Sequence, residues 1–192
     1  MARRIKARLL RTKATVTLAR GLLGKVLVRR RRGVLSAQVI TEVEAYDGER
    51  DRACHASKGR TTRTEVMYAT GGVWYVYLCY GVHEMLNLVT GPAGYPAAVL
   101  IRGVAAINGP GRLTRSLGIG RRLNGVSAVN PAGGLWIEDH GIVVPPRLVR
   151  RGPRIGVDYA GPVWAAKPWR FSFDPAALFP TAPTPRARRR QP

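Results

Sequence analysis

A chain of 192 residues with 32 Lys and Arg against 11 Asp and Glu has a formal net charge of +21. The length fits one domain with a core of its own, and a hydrophobic fraction of 45% excludes a disordered basic tail. The charge points to a polyanion, nucleic acid ahead of an anionic membrane surface, because no apolar run approaches the roughly 20 residues of a spanning helix.

In chain order, "MARRIKARLLRTKATV" is basic but lacks an apolar h-region and a cleavage site. No secretory signal is expected, and a cytoplasmic setting follows, nucleoid-associated if the source is bacterial. A helix is expected somewhere in residues 1–20. "GKVLVRRRRGVLSAQVITEVEAY" predicts two strands joined by a tight Arg-Gly turn. Residues 47–66 are polar and loop-like. "GGVWYVYLCYGVHEMLNLVT" predicts an aromatic strand, a turn at Gly81 and a second strand. After "GPAGYP", "AAVLIRGV" is another strand. "NGPGRLTRSLGIG" predicts a short helix with Pro in its first turn. "GLWIEDHGIVV" reads as a pair of short strands, and "RIGVDYAGPVWAAKPWRFSF" as a helical turn followed by a strand. The Pro- and Arg-rich tail is expected to be disordered. This is an α+β pattern, divided into a basic segment 1–16, a domain 17–175 and the tail 176–192.

Acids are scarce, so their placement is informative. Glu42 and Glu44 stand two apart in a β-branched run, and alternation puts them with Tyr46 on one strand face, opposite Val39, Thr41, Val43 and Ala45. The plain expectation is a solvent face. The functional one is a general base that activates water, since an idle carboxylate would repel phosphates.

In "WYVYLCYG", Tyr75, Tyr77 and Cys79 share one face, and Trp74 and Tyr75 are expected in the core or on the sheet surface. Tyr80 precedes Gly81, where a sharp turn thrusts a side chain outward. A basic protein with an aromatic wedge suits base unstacking. Cys54 and Cys79 are isolated, which argues against a disulfide framework or zinc knuckle. His83-x-Glu lacks the Cys pair of a zinc deaminase. There is no Walker loop or GxGxxG, so no metal or cofactor is expected.

Taken together, "TEVEAYDGERDRACHASKGRTTRTEVM", "GGVWYVYLCYGVHEMLNLVT", "AAVLIRG", "NGPGRLTRSLGI" and "RIGVDYAGPVWAAKPWRF" resemble the alkyladenine (3-methyladenine) DNA glycosylase family, in order, over residues 17–173. The resemblance implies a single mixed domain around a curved antiparallel sheet with flanking helices. It also implies a monomer that flips alkylated or deaminated purines out of double-stranded DNA and hydrolyses the N-glycosidic bond for base excision repair. Carried over by motif, Glu44 is the general base and Arg102 helps hold the water. Tyr46, His55 and Tyr77 stack on the flipped base, with His55 also bonding its edge. Tyr80 is the intercalating wedge, and Asn87 guards the pocket against guanine. Glu42 is structural.

Between Arg102 and Asn108 the chain has only "GVAAI", where the resemblance implies a longer helical segment. The shortening predicts lower stability or a looser loop beside the base pocket. Two competing readings carry different chemistry: a non-catalytic nucleic-acid-binding protein, and a family member that binds lesions without excising them. Glu44 with Tyr46, His55 and Arg102 separates an enzyme from the first, because a mere binder has no need of them.

Overall fold

The computed structural model describes residues 3–179; the Pro/Arg-rich stretch 180–192 lies outside them. Ten strands form the sheet: β1 Arg3–Arg4, β2 Val26–Arg31, β3 Val34–Asp47, β4 Trp74–Cys79, β5 His83–Val89, β6 Ala97–Val104, β7 Ile107–Asn108, β8 Leu135–Asp139, β9 Arg150–Gly152 and β10 Arg170–Ser172. The main path runs β1-β8-β2-β3-β6-β5-β4, with β10 on β3, β9 on β10 and β7 on β6. Every pairing is antiparallel. The helices are α1 Thr15–Gly21, α2 Pro110–Leu117, α3 Pro162–Ala165 and α4 Pro175–Leu178. The α+β expectation therefore stands: an open antiparallel sheet with a few helices.

Alternation explains how the sheet is covered. Val43, Ala45, Trp74, Val76, Leu86, Leu88, Val99 and Ile101 turn to one face and join Leu113 and Leu117 of α2 in the main core. Tyr75, Val89 and Ala98 turn to the other, under Cys54, Ala56 and Met67 of the 47–68 segment. Burying a large apolar side chain stabilises by about 1.5–3 kcal/mol, so covering both faces holds that loop-like segment firmly.

Both tight turns adopt positive φ. Arg32 and Gly33, at φ 49° and 77°, close the β2–β3 hairpin. Tyr80 and Gly81, at 49° and 70°, turn β4 into β5, with Val82 N–H donating to Cys79 O at 3.1 Å. These are the φ signs of a type I′ turn, whose twist matches the flanking strands.

Three local expectations change. The helix expected within 1–20 begins only at Thr15, because Arg3 and Arg4 are drawn into β1 opposite Asp139 and Glu138, a favourable cross-strand charge match. "GLWIEDHGIVV" yields one strand rather than two. At Glu138 both edges of β8 are already taken, by β1 and β2, so residues 142–144 find no free ladder. The short 103–107 segment closes as a two-residue turn, with Val104 opposite Ile107 and Ala105 N–H donating to Val39 O at 2.8 Å. It is pinned rather than loosened.

Candidate active site

β3 is the spine of the site. Along its C-terminal half it is flanked by β6 on one edge and β10 on the other, so Glu42 and Glu44 sit in the middle of the sheet. Glu44 is fully buried and Glu42 is 9% exposed. The solvent-face expectation for the pair is therefore wrong, because the 47–68 and 153–169 segments cover the face to which alternation turns them.

The β3–β6 ladder is irregular here. Glu42 pairs with Gly103 and Val43 with Ile101, so Arg102 is the extra residue of a bulge. Bulges re-aim side chains. This one lays Arg102 across both acids, Nε 3.4 Å from Glu42 Oε1 and Nη1 3.4 Å from Glu44 Oε2. Glu42 Oε1 also accepts from Arg170 Nη1 at 3.0 Å, which leaves it bridging two arginines.

Glu44 is more elaborately held. Its Oε2 accepts from the Tyr46 hydroxyl at 2.9 Å, and its Oε1 from the main-chain N–H of Ile155 at 2.8 Å. Burial pushes its pKa above the ordinary carboxylate value, opposed by Arg102 and the two hydrogen bonds and reinforced by Glu42. Burial also drives the Tyr46 hydroxyl well above the usual phenol range, so it stays a neutral donor. A carboxylate raised in pKa yet held by three donors is poised as a base.

His55, Tyr75 and Tyr77 form an aromatic group. The His55 and Tyr77 ring centroids are 4.6 Å apart at 73°, and those of Tyr75 and Tyr77 are 5.2 Å apart. Tyr46 and Tyr77 both pack on the cluster of Cys54, Met67, Tyr75, Val89 and Ala98. His55 Nδ1 is 3.1 Å from the Tyr75 hydroxyl. Burial, with the positive charges of Arg63 and Lys58, lowers its pKa to about 4, so at neutral pH the ring is uncharged. Arg63 lies over the Tyr77 ring at 4.9 Å.

Asn87 is 3% exposed, and its amide donates to Tyr75 O and Met85 O, both at 3.2 Å. It pairs with Leu100 of β6, which in turn pairs with Glu44, so Asn87 lies in the same cross-strand row as Glu44. Tyr80 is set apart at the hairpin tip. At 92% exposure it cannot be a core residue, and a bulky side chain at positive φ is strained by about 1–3 kcal/mol.

Sequence reasoning missed several partners. Behind Tyr46, Arg154 and Asp51 form a bidentate pair at 2.5 and 2.8 Å, both side chains fully buried. Arg154 also donates to Ala45 O at 2.9 Å and lies over the Tyr46 and Trp169 rings. The scarcity of acids that singled out Glu42 and Glu44 applies equally to Asp51. No comparable signal marks the Ile155 N–H, since any residue supplies one.

A family model described as methylpurine-DNA glycosylase (MPG) matches residues 10–108 and 105–176. The chain belongs to the methylpurine-DNA glycosylase family. The match divides at residues 105–108, where the short turn falls. A Myxococcus xanthus protein is 48% identical over 81% of this chain and 82% of its own length. One from Methanocella arvoryzae is 46% identical over 82% and 86%, and one from Streptomyces avermitilis 41% identical over 88% of each. All three carry the provisional name 3-methyladenine DNA glycosylase. Membership makes this methylpurine-DNA glycosylase homologue a DNA glycosylase, a hydrolase of the N-glycosidic bond with DNA as substrate and a role in base excision repair. Among its described residues no helix is long and apolar enough to cross a membrane, and no group of three His, Cys, Asp or Glu is placed to hold a metal ion.

Proposed function

We propose that the protein, acting as a monomer in the cytoplasm, removes alkylated or deaminated purines from double-stranded DNA, using Glu44 to activate the hydrolytic water. The observation that carries this reading is the buried Glu44 carboxylate, raised in pKa and clamped by Arg102, Tyr46 and the Ile155 N–H. Water attacks C1′ while the C1′–N bond breaks and the base departs with the bonding electrons. Glu44 takes the water proton, and an abasic site remains. The transition state resembles an oxocarbenium ion, which a nearby carboxylate also stabilises.

The damaged base is held by Tyr46, His55 and Tyr77. Alkylation at N3 or N7 makes the purine cationic, which strengthens its attraction to aromatic faces and weakens the glycosidic bond. Neutral His55, oriented by Tyr75, hydrogen-bonds the base edge. Tyr80 fills the space left in the duplex, and Asn87 blocks guanine's 2-amino group. Flipping costs a few kcal/mol, less for damaged or mispaired bases, and this adds selectivity.

The decisive experiment measures base release from duplexes containing 3-methyladenine, 7-methylguanine, hypoxanthine or ethenoadenine, with alkali cleavage of the abasic product. Release by the wild type, and release slower by at least roughly 10²–10⁴-fold in Glu44→Gln, is expected. Tight lesion binding with no release by the wild type would instead mark a lesion-binding protein that does not excise.

A further inference from the structure

The β2–β3 hairpin carries four consecutive arginines, Arg29 to Arg32. Arg29 is 5% exposed and donates to Leu117 O, Gly118 O and Gly134 O. It is therefore a fixed cation at the C-terminal end of α2, where the helix dipole favours positive charge. The next three are exposed, and with Arg122 they line a groove of about 610 Å³ that has no acidic residue in its walls. Among the described residues none of Arg30, Arg31, Arg32 and Arg122 has a carboxylate within ion-pair distance. Arg31 lies so close to Gly118 that a Cβ there would come within 2.5 Å of Nη1, and Gly118 has φ +57°. Burial, with the charges of Arg122 and Arg31, lowers the pKa of Arg29. Uncompensated positive charge of this kind is relieved by an anion.

The groove's position says which anion. Tyr75, Tyr77 and Asn87 share the pocket face of the β4–β5 hairpin, whereas Val76, Leu86 and Leu88 face the main core with α2. Glu84, two residues before Leu86 and nearer the hairpin tip, shares that second face by alternation and meets Arg121 at 3.4 Å, beside Arg31 and Arg122. The basic surface thus begins next to the wedge hairpin, on its side away from the base pocket. A tip that enters a duplex groove has a sugar–phosphate backbone on each side of it.

We propose that Arg30, Arg31, Arg32 and Arg122 bind the phosphodiester backbone of duplex DNA on the face of the Tyr80 hairpin opposite the base pocket. This deepens the wedge assignment of the proposed function and rests on it. One backbone yields the damaged nucleotide to the pocket, while the groove grips phosphates across the wedge and keeps the duplex seated during flipping. Arginine suits this task because its planar fork takes phosphate oxygens bidentately.

The test uses the full chain with two triple variants, R30Q/R31Q/R122Q and R30K/R31K/R122K. Each lost phosphate contact flattens the plot of log affinity against log salt by roughly 0.9. The glutamine triple is therefore expected to lower the slope by roughly 2–3 on lesion and plain duplexes alike, while the lysine triple keeps most of it. Hydroxyl-radical footprints at equimolar protein and lesion duplex are expected to lose protection on that same duplex. An unchanged slope and footprint in the glutamine triple overturns the proposal, as does a lysine triple whose salt slope falls as far as that of the glutamine one, which would make the arginines structural. A slope change that appears only when a second duplex is added overturns the assignment to the backbone beside the wedge. Absence of base release by the wild type, with the slope change intact, is a failure of the glycosylase reading and not of the groove.

Discussion

Arg154 and Asp51 clasp each other in the buried wall behind Tyr46, two hydrogen bonds joining two fully enclosed charges. Asp51 also accepts from Asp47 N–H and Ala53 N–H, both at 3.1 Å, so the pair fixes the loop that ends at His55. Arg154 precedes Ile155, whose N–H reaches Glu44. One ion pair thus registers the base-pocket loop and the Glu44 clamp against each other.

Removing one partner of a fully buried pair typically costs about 3–5 kcal/mol, because the other charge is stranded. Asp51→Asn is expected to lose stability on that scale in denaturant titrations. Arg154→Lys keeps the charge but not the fork, and is expected to lower single-turnover base release even where it stays folded. Wild-type rates in folded Arg154→Lys would show that the pair supports the fold alone.

Glu44→Gln retains shape and removes the base. Base release is expected to fall at least roughly 10²–10⁴-fold, with lesion affinity preserved in a gel-shift assay. Glu42→Gln is expected to be milder, because Glu42 meets Arg102 and Arg170 rather than the Tyr46–Ile155 clamp.

The pH dependence follows from the direction of the Glu44 shift. As a base it works ionised, and its folded pKa lies above the ordinary value. Single-turnover rates should therefore rise with pH along a limb centred above the usual glutamate range. The stability sign is opposite: a raised acid pKa favours the protonated folded state, so this contribution is full below the unfolded pKa and lost as pH rises through the folded one. Arg102 opposes the shift, so Arg102→Gln should move the activity limb to higher pH as well as slowing the reaction. A limb unchanged in Arg102→Gln would detach it from Glu44.

Tyr80 is exposed and strained, so Tyr80→Ser is expected to leave the melting temperature unchanged or slightly higher. Base–aromatic stacking is worth roughly 1–3 kcal/mol. Lesion affinity should therefore drop toward that for undamaged duplex. Retention of the full lesion preference by the folded variant removes the wedge role.

Asn87 is held by two main-chain carbonyls and cannot swing aside. If it meets the purine minor-groove edge, Asn87→Ser opens room for guanine's 2-amino group, at a stability cost of about 1–3 kcal/mol for the carbonyl partners it strands. The ratio of guanine to hypoxanthine release, in single turnover on matched duplexes, is expected to rise. A fixed ratio in folded protein would make Asn87 purely architectural.

Much of the fold was legible because its signals are local. β3 through β6 appear in the residues as alternating or β-branched runs, the Arg-Gly and Tyr-Gly turns as small-residue punctuation, and α2 as Pro at its start and Gly at its end. Where local reading failed, partners were the cause: β1 formed by pairing two arginines with two acids, and residues 142–144 stayed out of the sheet because β8 had no edge left.

By itself the sequence determined which chemistry is on offer. It set the positive charge, the few carboxylates, the shared face of Glu42, Glu44 and Tyr46, and the exposed turn at Tyr80, since composition and strand alternation depend only on residue order. Tertiary structure decided what those groups can do. The bulge at Arg102 laid its guanidinium over both glutamates, and the segment from Arg154 to Arg170 closed over them from more than 100 residues away. Burial then raised the pKa of Glu44 and lowered that of His55. Solvation and Coulomb energies depend on distances between groups remote in the chain, and those distances exist only once it has folded.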